Sequence, residues 1–91
     1  MRKTLIIKKE IPVDFSVNNE NHLYSFNLKE EILYKEEIRD GKIDSYWGRY
    51  EPIRITNEQI MWFDGSDGRW RYMSPEIQIA YKEYLAEKEL L

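Results

Sequence analysis

Apolar and polar residues alternate along several stretches of the chain, with turn-forming residues between them. Side chains of a β-strand point alternately to its two faces, so this pattern indicates a sheet with one face on a core. Pro12 and Pro52 end two of the predicted strands, and residues 14–21 are predicted to form a loop because turn formers dominate them. The predicted strands span about residues 3–11, 22–28, 31–39, 42–50, 53–56, 59–63 and 69–73.

Residues 28–39 allow two interpretations. Asn27 could cap a helix there, but the apolar residues that follow scatter around a helical wheel and form no stripe. Asp40-Gly41 is a strong signal for a two-residue hairpin turn, and it would bring the apolar residues of both strands to one face. We therefore predict a hairpin, with the helix as the alternative. The predicted pairs are Ile38 with Ile43 and Tyr34 with Trp47.

The C-terminal segment has helical spacing. Ser74 stands at a helix N-cap position, Pro75 follows at the first helical position, and Glu76 lies in the first turn. We predict a helix over about residues 75–90. The predicted fold class is α+β: an antiparallel β-meander of about six or seven short strands, forming a sheet or partly open barrel, with one C-terminal amphipathic helix packed on it. Residues 1–91 are expected to form a single compact domain.

Composition limits the chemistry. The 91 residues include no cysteine, which excludes disulfides and thiolate metal sites, so the core must rely on three Trp, seven Tyr and three Phe. A net charge of −3 is too weak for a polyanionic DNA mimic and too acidic for a general nucleic-acid coat protein. No apolar run suits a signal peptide or a membrane span, so we expect a cytoplasmic protein with no membrane partner.

The segment GRWRY at 68–72 interleaves arginines with aromatic residues. In a strand, Trp70 and Tyr72 would face one way, and Arg69 and Arg71 would face the other. The two kinds of side chain are therefore expected to be segregated in space.

The partner strand determines which aromatic residue joins the arginines. A four-residue turn would pair Phe63 with Trp70 and place Trp62 beside Arg71, whereas a loop one residue longer would move Phe63 to the arginine side. In either register one face holds an aromatic core pair, and the other holds the arginines with a large aromatic residue. We predict that the second face binds a partner, with a cation–π pair on a solvated surface as the structural alternative. The candidate binding residues are Trp62, Phe63, Arg69, Arg71, Arg49, Arg54, Tyr46 and Tyr50.

Catalytic and metal-binding patterns are weak. His22 is the single histidine, and no nucleophile motif or marked set of carboxylate co-ligands accompanies it. The acidic turn DGSDG at 64–68 lacks the length and terminal Glu of an EF-hand loop. We predict no catalytic residue, no metal site and no cofactor, with a small nuclease site around His22 as the enzyme alternative.

These observations predict a small non-enzymatic binding protein. Size and a residue usage typical of AT-rich genomes suggest a phage or mobile-element inhibitor or adaptor that occupies a surface of a host protein, for example a defence nuclease, in the bacterial cytoplasm. One alternative is an RNA or single-stranded DNA binding module that uses the arginine–aromatic strand face. A binder of a small ligand such as a nucleotide is another alternative. A homodimer would also cover exposed aromatic residues.

Overall fold

The computed structural model describes residues 12–90, without the side chains of Trp47 and Leu90, and the predicted strand at 3–11 lies outside the described residues. Within this range the chain forms six strands and one helix. The strands are β1 (Phe15–Asn18), β2 (His22–Asn27), β3 (Ile32–Arg39), β4 (Lys42–Thr56), β5 (Gln59–Asp64) and β6 (Arg69–Tyr72), and helix α1 is Pro75–Leu90. No helix in residues 12–90 has the length and apolar character needed to cross a membrane.

The strands form one antiparallel meander, in the order β1-β2-β3-β4-β5-β6, followed by α1. The predicted fold class, an α+β antiparallel sheet with a C-terminal helix, is confirmed. The loop predicted at 14–21 is wrong in part, because β1 occupies its first half. Phe15 lies opposite Phe26 and Val17 lies opposite Tyr24, so two apolar side chains align with the core face despite the polar residues around them.

Strand β4 runs through Pro52, so the prediction of two separate strands at 42–50 and 53–56 is wrong. The amide of Ile53 donates to the carbonyl of Glu31 on the β3 side, 3.0 Å away. The backbone nitrogen of residue 52 therefore faces the opposite edge, where the pairing with β5 covers only residues 53–56. Proline is tolerated here because its missing N–H removes no bond from the β3 ladder.

The hairpin of β3 and β4 has the predicted turn, with Asp40 and Gly41 both at positive φ, and the helix alternative for 28–39 is wrong. Ile38 lies opposite Ile43, as predicted. Tyr34 lies opposite Tyr50 and not Trp47, because β4 bulges: residues 45–48 together occupy the space opposite Glu36.

The hairpin of β5 and β6 has the register expected from the four-residue turn. Phe63 lies opposite Trp70, Trp62 opposite Arg71, and Asp64 opposite Arg69. The turn carbonyl of Asp64 accepts hydrogen bonds from the amides of Asp67 and Gly68.

The core lies between α1 and one face of the sheet. Four sheet residues, Phe26, Leu33, Ile53 and Ile60, are buried against Ile77 and Tyr81 of α1. The helix begins where predicted, since the carbonyl of Ser74 accepts hydrogen bonds from the amides of Ile77 and Gln78. Partly buried residues extend the core: Phe15, Val17, Tyr24, Leu28, Ile55, Met73 and Leu85.

Candidate functional site

The helix gives the two faces of the sheet different surroundings. We call the face that packs on α1 the helix face and the opposite one the outer face. Ile53 and Ile60 are buried on the helix face. Because side chains alternate along each strand, the residues next to them, Arg54 and Met61, lie on the outer face.

The predicted binding residues do not form one surface, because the structure divides them between the two faces. Trp62, Arg69, Arg71 and Arg49 align with the helix face by strand alternation, whereas Phe63, Arg54 and Tyr50 align with the outer face. Tyr46 lies within the β4 bulge and is 82% exposed.

Arg71 is engaged in holding the turn between β5 and β6. Its Nε donates to Asp64 Oδ2 at 2.9 Å, and its Nη2 forms a second ion pair with Asp67. Hydrogen bonds to these two carboxylates raise the pKa of Arg71. The hydroxyl of Ser66 donates a hydrogen bond to Asp64 at 2.6 Å, and its amide donates to the same carboxylate. These two hydrogen bonds lower the pKa of Asp64 more than Arg71 does. The acidic turn therefore binds an arginine of its own chain.

Arg49 is also paired, because its Nε lies 3.0 Å from Oε2 of Glu51. Arg69 donates its backbone amide to Asp67 at 3.2 Å, which adds to the turn. The arginines of the helix face thus lie among carboxylates of the same face.

The outer face carries a cluster of aromatic side chains with a stacked arginine. The rings of Phe63 and Trp70 meet edge to face with centroids 5.4 Å apart, and the guanidinium carbon of Arg54 lies 4.2 Å from the centre of the Trp70 ring. Phe63 is 40% exposed and Tyr72 is 57% exposed. The prediction that Phe63 and Trp70 form a core pair is therefore wrong, because α1 packs on the other side of these strands.

Sequence reasoning missed that Trp70 and Tyr72 lie on the face opposite the helix, although a signal was present. The apolar alternation of Ile53, Arg54 and Ile55 directs Ile55 to the core, and a two-residue turn at 57–58 pairs it with Ile60. Because side chains alternate along β5, Trp62 shares the inward face of Ile60, and Phe63 faces outward.

The rest of the outer face is largely apolar in β3 and β4, whereas β1 and β2 bring mainly polar residues such as Ser16, Asn18 and Ser25 to it. Glu36 and Arg54 are the two charged residues that the described strands place on it. Ile43 is 54% exposed, and Tyr50 packs against Tyr34 with ring centroids 4.8 Å apart. Strand alternation adds further apolar members: Leu23, Ile32, Ile38, Pro52 and Met61.

A cleft of about 280 Å³ opens on the helix face beside the start of α1. Lys35, Glu51 and Glu76 bring both signs of charge to its wall, and Tyr24 and Trp62 line it as well. Burial raises the pKa of the Tyr24 phenol, an effect that a hydrogen bond with Asn19 partly offsets. The cleft wall thus combines a phenol with one basic and two acidic side chains.

His22, the centre of the enzyme alternative, lies in β2 opposite Glu37, with its ring 5.8 Å from that of Tyr24. Among residues 12–90, no group of three or more His, Cys, Asp or Glu side chains is arranged to hold a metal ion. Comparison with known proteins finds no matching family model, no matching curated protein and no matching solved structure.

Proposed function

We propose that this protein is a non-enzymatic binding protein whose outer face occupies a surface of another protein. The observation that carries the proposal is an aromatic cluster in which Phe63 and Tyr72 are exposed and the half-buried Trp70 carries Arg54 on its ring. Tyr, Trp and Arg dominate the residues that contribute most to protein–protein binding. Here they lie on paired strands, where they can contact a partner without rearrangement of the sheet.

The distribution of charge favours a protein over a nucleic acid as the partner. A platform for single-stranded nucleic acid combines stacking rings with several cations along the backbone path. Arg54 is the one cation that the described strands bring to the outer face, while Arg69 and Arg71 align with the opposite face and Arg71 is bound by Asp64 and Asp67. The net charge of −3 also opposes general attraction to phosphate.

The small size of the chain and its residue usage, typical of AT-rich genomes, suggest that the partner is a host protein in the bacterial cytoplasm. The protein would then be a phage or mobile-element inhibitor or adaptor, and a defence nuclease is one kind of target. Binding alone would be sufficient for such a role, because covering a partner's working surface blocks it without any chemical step.

A capture experiment with matched variants tests this proposal. Tagged protein is incubated with lysate of a low-GC bacterium, with and without added nuclease, and the retained proteins are quantified. We expect the wild type and Arg69→Ala to retain a stoichiometric protein that survives nuclease treatment. The double variant Arg54→Ala/Tyr72→Ala should lose it, because both side chains lie on the outer face and are exposed.

Two results would contradict the proposal. One is equal capture by the wild type and the outer-face double variant. The other is retention of nucleic acid that salt removes and that Arg69→Ala or Arg71→Ala weakens, which would support the nucleic-acid alternative.

A further inference from the structure

We infer that the outer face is self-complementary and binds a second copy of this chain, so that a twofold homodimer competes with partner binding. The inference rests on the proposed function, because it describes how the same surface is regulated. It follows from the apolar character of the face, the signs and positions of its two charges, and its size.

Apolar and aromatic residues form the centre of the outer face. Tyr34 and Tyr50 pack together there, and Ile43, Phe63 and Tyr72 are exposed around them. Homodimer interfaces are more apolar than the remainder of a protein surface, and an exposed patch of several hundred Å² commonly marks an interaction site.

The two charges on the described strands of this face have opposite signs. Glu36 in β3 accepts a hydrogen bond from the hydroxyl of Ser45, and Arg54 in β4 lies on the Trp70 ring. Neither forms an ion pair within residues 12–90.

A twofold axis would bring these charges together. In a symmetric dimer the same patch contacts itself, so residue i of one copy meets residue j of the other and the reverse. Glu36 and Arg54 lie on either side of the Tyr34–Tyr50 pair along β3 and β4. Consider a twofold axis that lies in the interface plane, perpendicular to the line from Glu36 to Arg54 and through its midpoint. This axis places each Arg54 over the partner copy's Glu36. The interface then holds two opposite-charge pairs around an aromatic centre.

The size of the outer face is sufficient for such a dimer. The face extends along β4, because β3 pairs with residues 42–52 of this strand and β5 pairs with residues 53–56. The six strands together contain 43 residues. At a rise of about 3.4 Å per residue and a strand spacing of about 4.8 Å, they cover about 700 Å² per copy, close to the ~800 Å² per partner of a standard interface.

Charge reversal with mixing tests the inference directly. Analytical ultracentrifugation over a range of concentrations should show a monomer–dimer equilibrium for the wild type. Arg54→Glu and Glu36→Arg should each weaken the homodimer by about tenfold or more, because like charges then face each other twice. An equimolar mixture of the two single variants should form a heterodimer, since both contacts then join an acidic side chain of one variant to a basic side chain of the other. The double variant should also dimerise.

Recovery in the mixture cannot arise from misfolding, so the test does not depend on the stability of each variant. Arg69→Glu, a charge reversal on the helix face, serves as the control and should dimerise like the wild type. A wild type that stays monomeric at every concentration, or single variants that fail to associate when mixed, would overturn the inference.

These outcomes separate the inference from the proposed function. A monomeric wild type that still captures a partner through Arg54 and Tyr72 would refute the dimer alone. If the wild type dimerises with the predicted charge behaviour, but substitution of those two residues leaves partner capture unchanged, only the proposed binding surface is refuted.

Discussion

Gly48 lies in the bulge where β4 leaves its regular pairing with β3. A Cβ at this position would overlap the hydroxyl oxygen of Tyr34 and lie 2.5 Å from its Cζ, so the Tyr34 ring would have to shift and its packing with Tyr50 would be disturbed. We expect Gly48→Ala to lower the free energy of unfolding by about 1–3 kcal/mol, measured by urea denaturation followed by tryptophan fluorescence.

Gly65→Ala is the matched control for this prediction. A Cβ at Gly65 would have no heavy atom within 4 Å, and the backbone there does not adopt a positive φ. We expect a change within about 0.5 kcal/mol. Equal effects of the two substitutions would show that the contact with Tyr34 does not account for the glycine at 48.

Single residues also show what could be predicted about the candidate site. The alternation of GRWRY correctly separated Arg69 and Arg71 from Trp70 and Tyr72. Which pair faces the helix depends on where α1 packs, a long-range contact that no five-residue pattern contains. The pairing of Arg71 with Asp64 and Asp67 was missed for a related reason, since it depends on how the turn folds back on β6.

At the scale of elements, Gln78 joins α1 to the backbone of the sheet. Its Oε1 accepts from the amide of Ile60 at 3.0 Å, and its Nε2 donates to the carbonyls of Ile60 at 2.9 Å and Met73 at 3.3 Å. Gln78→Ala would leave the Ile60 amide without this acceptor in a partly buried position. We expect it to cost about 1–3 kcal/mol in unfolding free energy.

Lys82→Ala, one helical turn further on at an exposed position, is the control, with an expected change within about 0.5 kcal/mol in the same chemical denaturation experiment. If the two variants were equally stable, the side chain of Gln78 would contribute nothing to docking of the helix.

The elements themselves were predictable where local chemistry determines them. Ser74-Pro75 marked the helix start and Asp40-Gly41 marked the hairpin turn. The bulge in β4 and the passage of that strand through Pro52 were not predictable, because both depend on which neighbour each half of β4 pairs with. Strand β1 was missed because only its two inward residues are apolar, and their role appears when they pack on Phe26 and Tyr24.

At the scale of the whole molecule, α1 connects parts of the described chain that the meander leaves apart. Each strand pairs with the next strand in sequence, whereas α1 packs on β1 and β5. The contact with β1 is aromatic: the Phe15 ring lies 4.8 Å from Phe26, 6.0 Å from Tyr81 and 5.4 Å from Tyr84, measured between centroids. One ring thus links the first described strand with the final helix.

Removing that ring should weaken the whole fold as a unit. We expect Phe15→Ala to lower the free energy of unfolding by about 2 kcal/mol or more, with helical circular dichroism and tryptophan fluorescence still changing in one transition. Val13→Ala, two residues earlier and 56% exposed, should leave stability within about 0.5 kcal/mol. Loss of the helical signal well before the tryptophan signal in Phe15→Ala would contradict this expectation. In that case the sheet would be stable without the helix, and the Phe15 contact would dock α1 without contributing to the stability of the sheet.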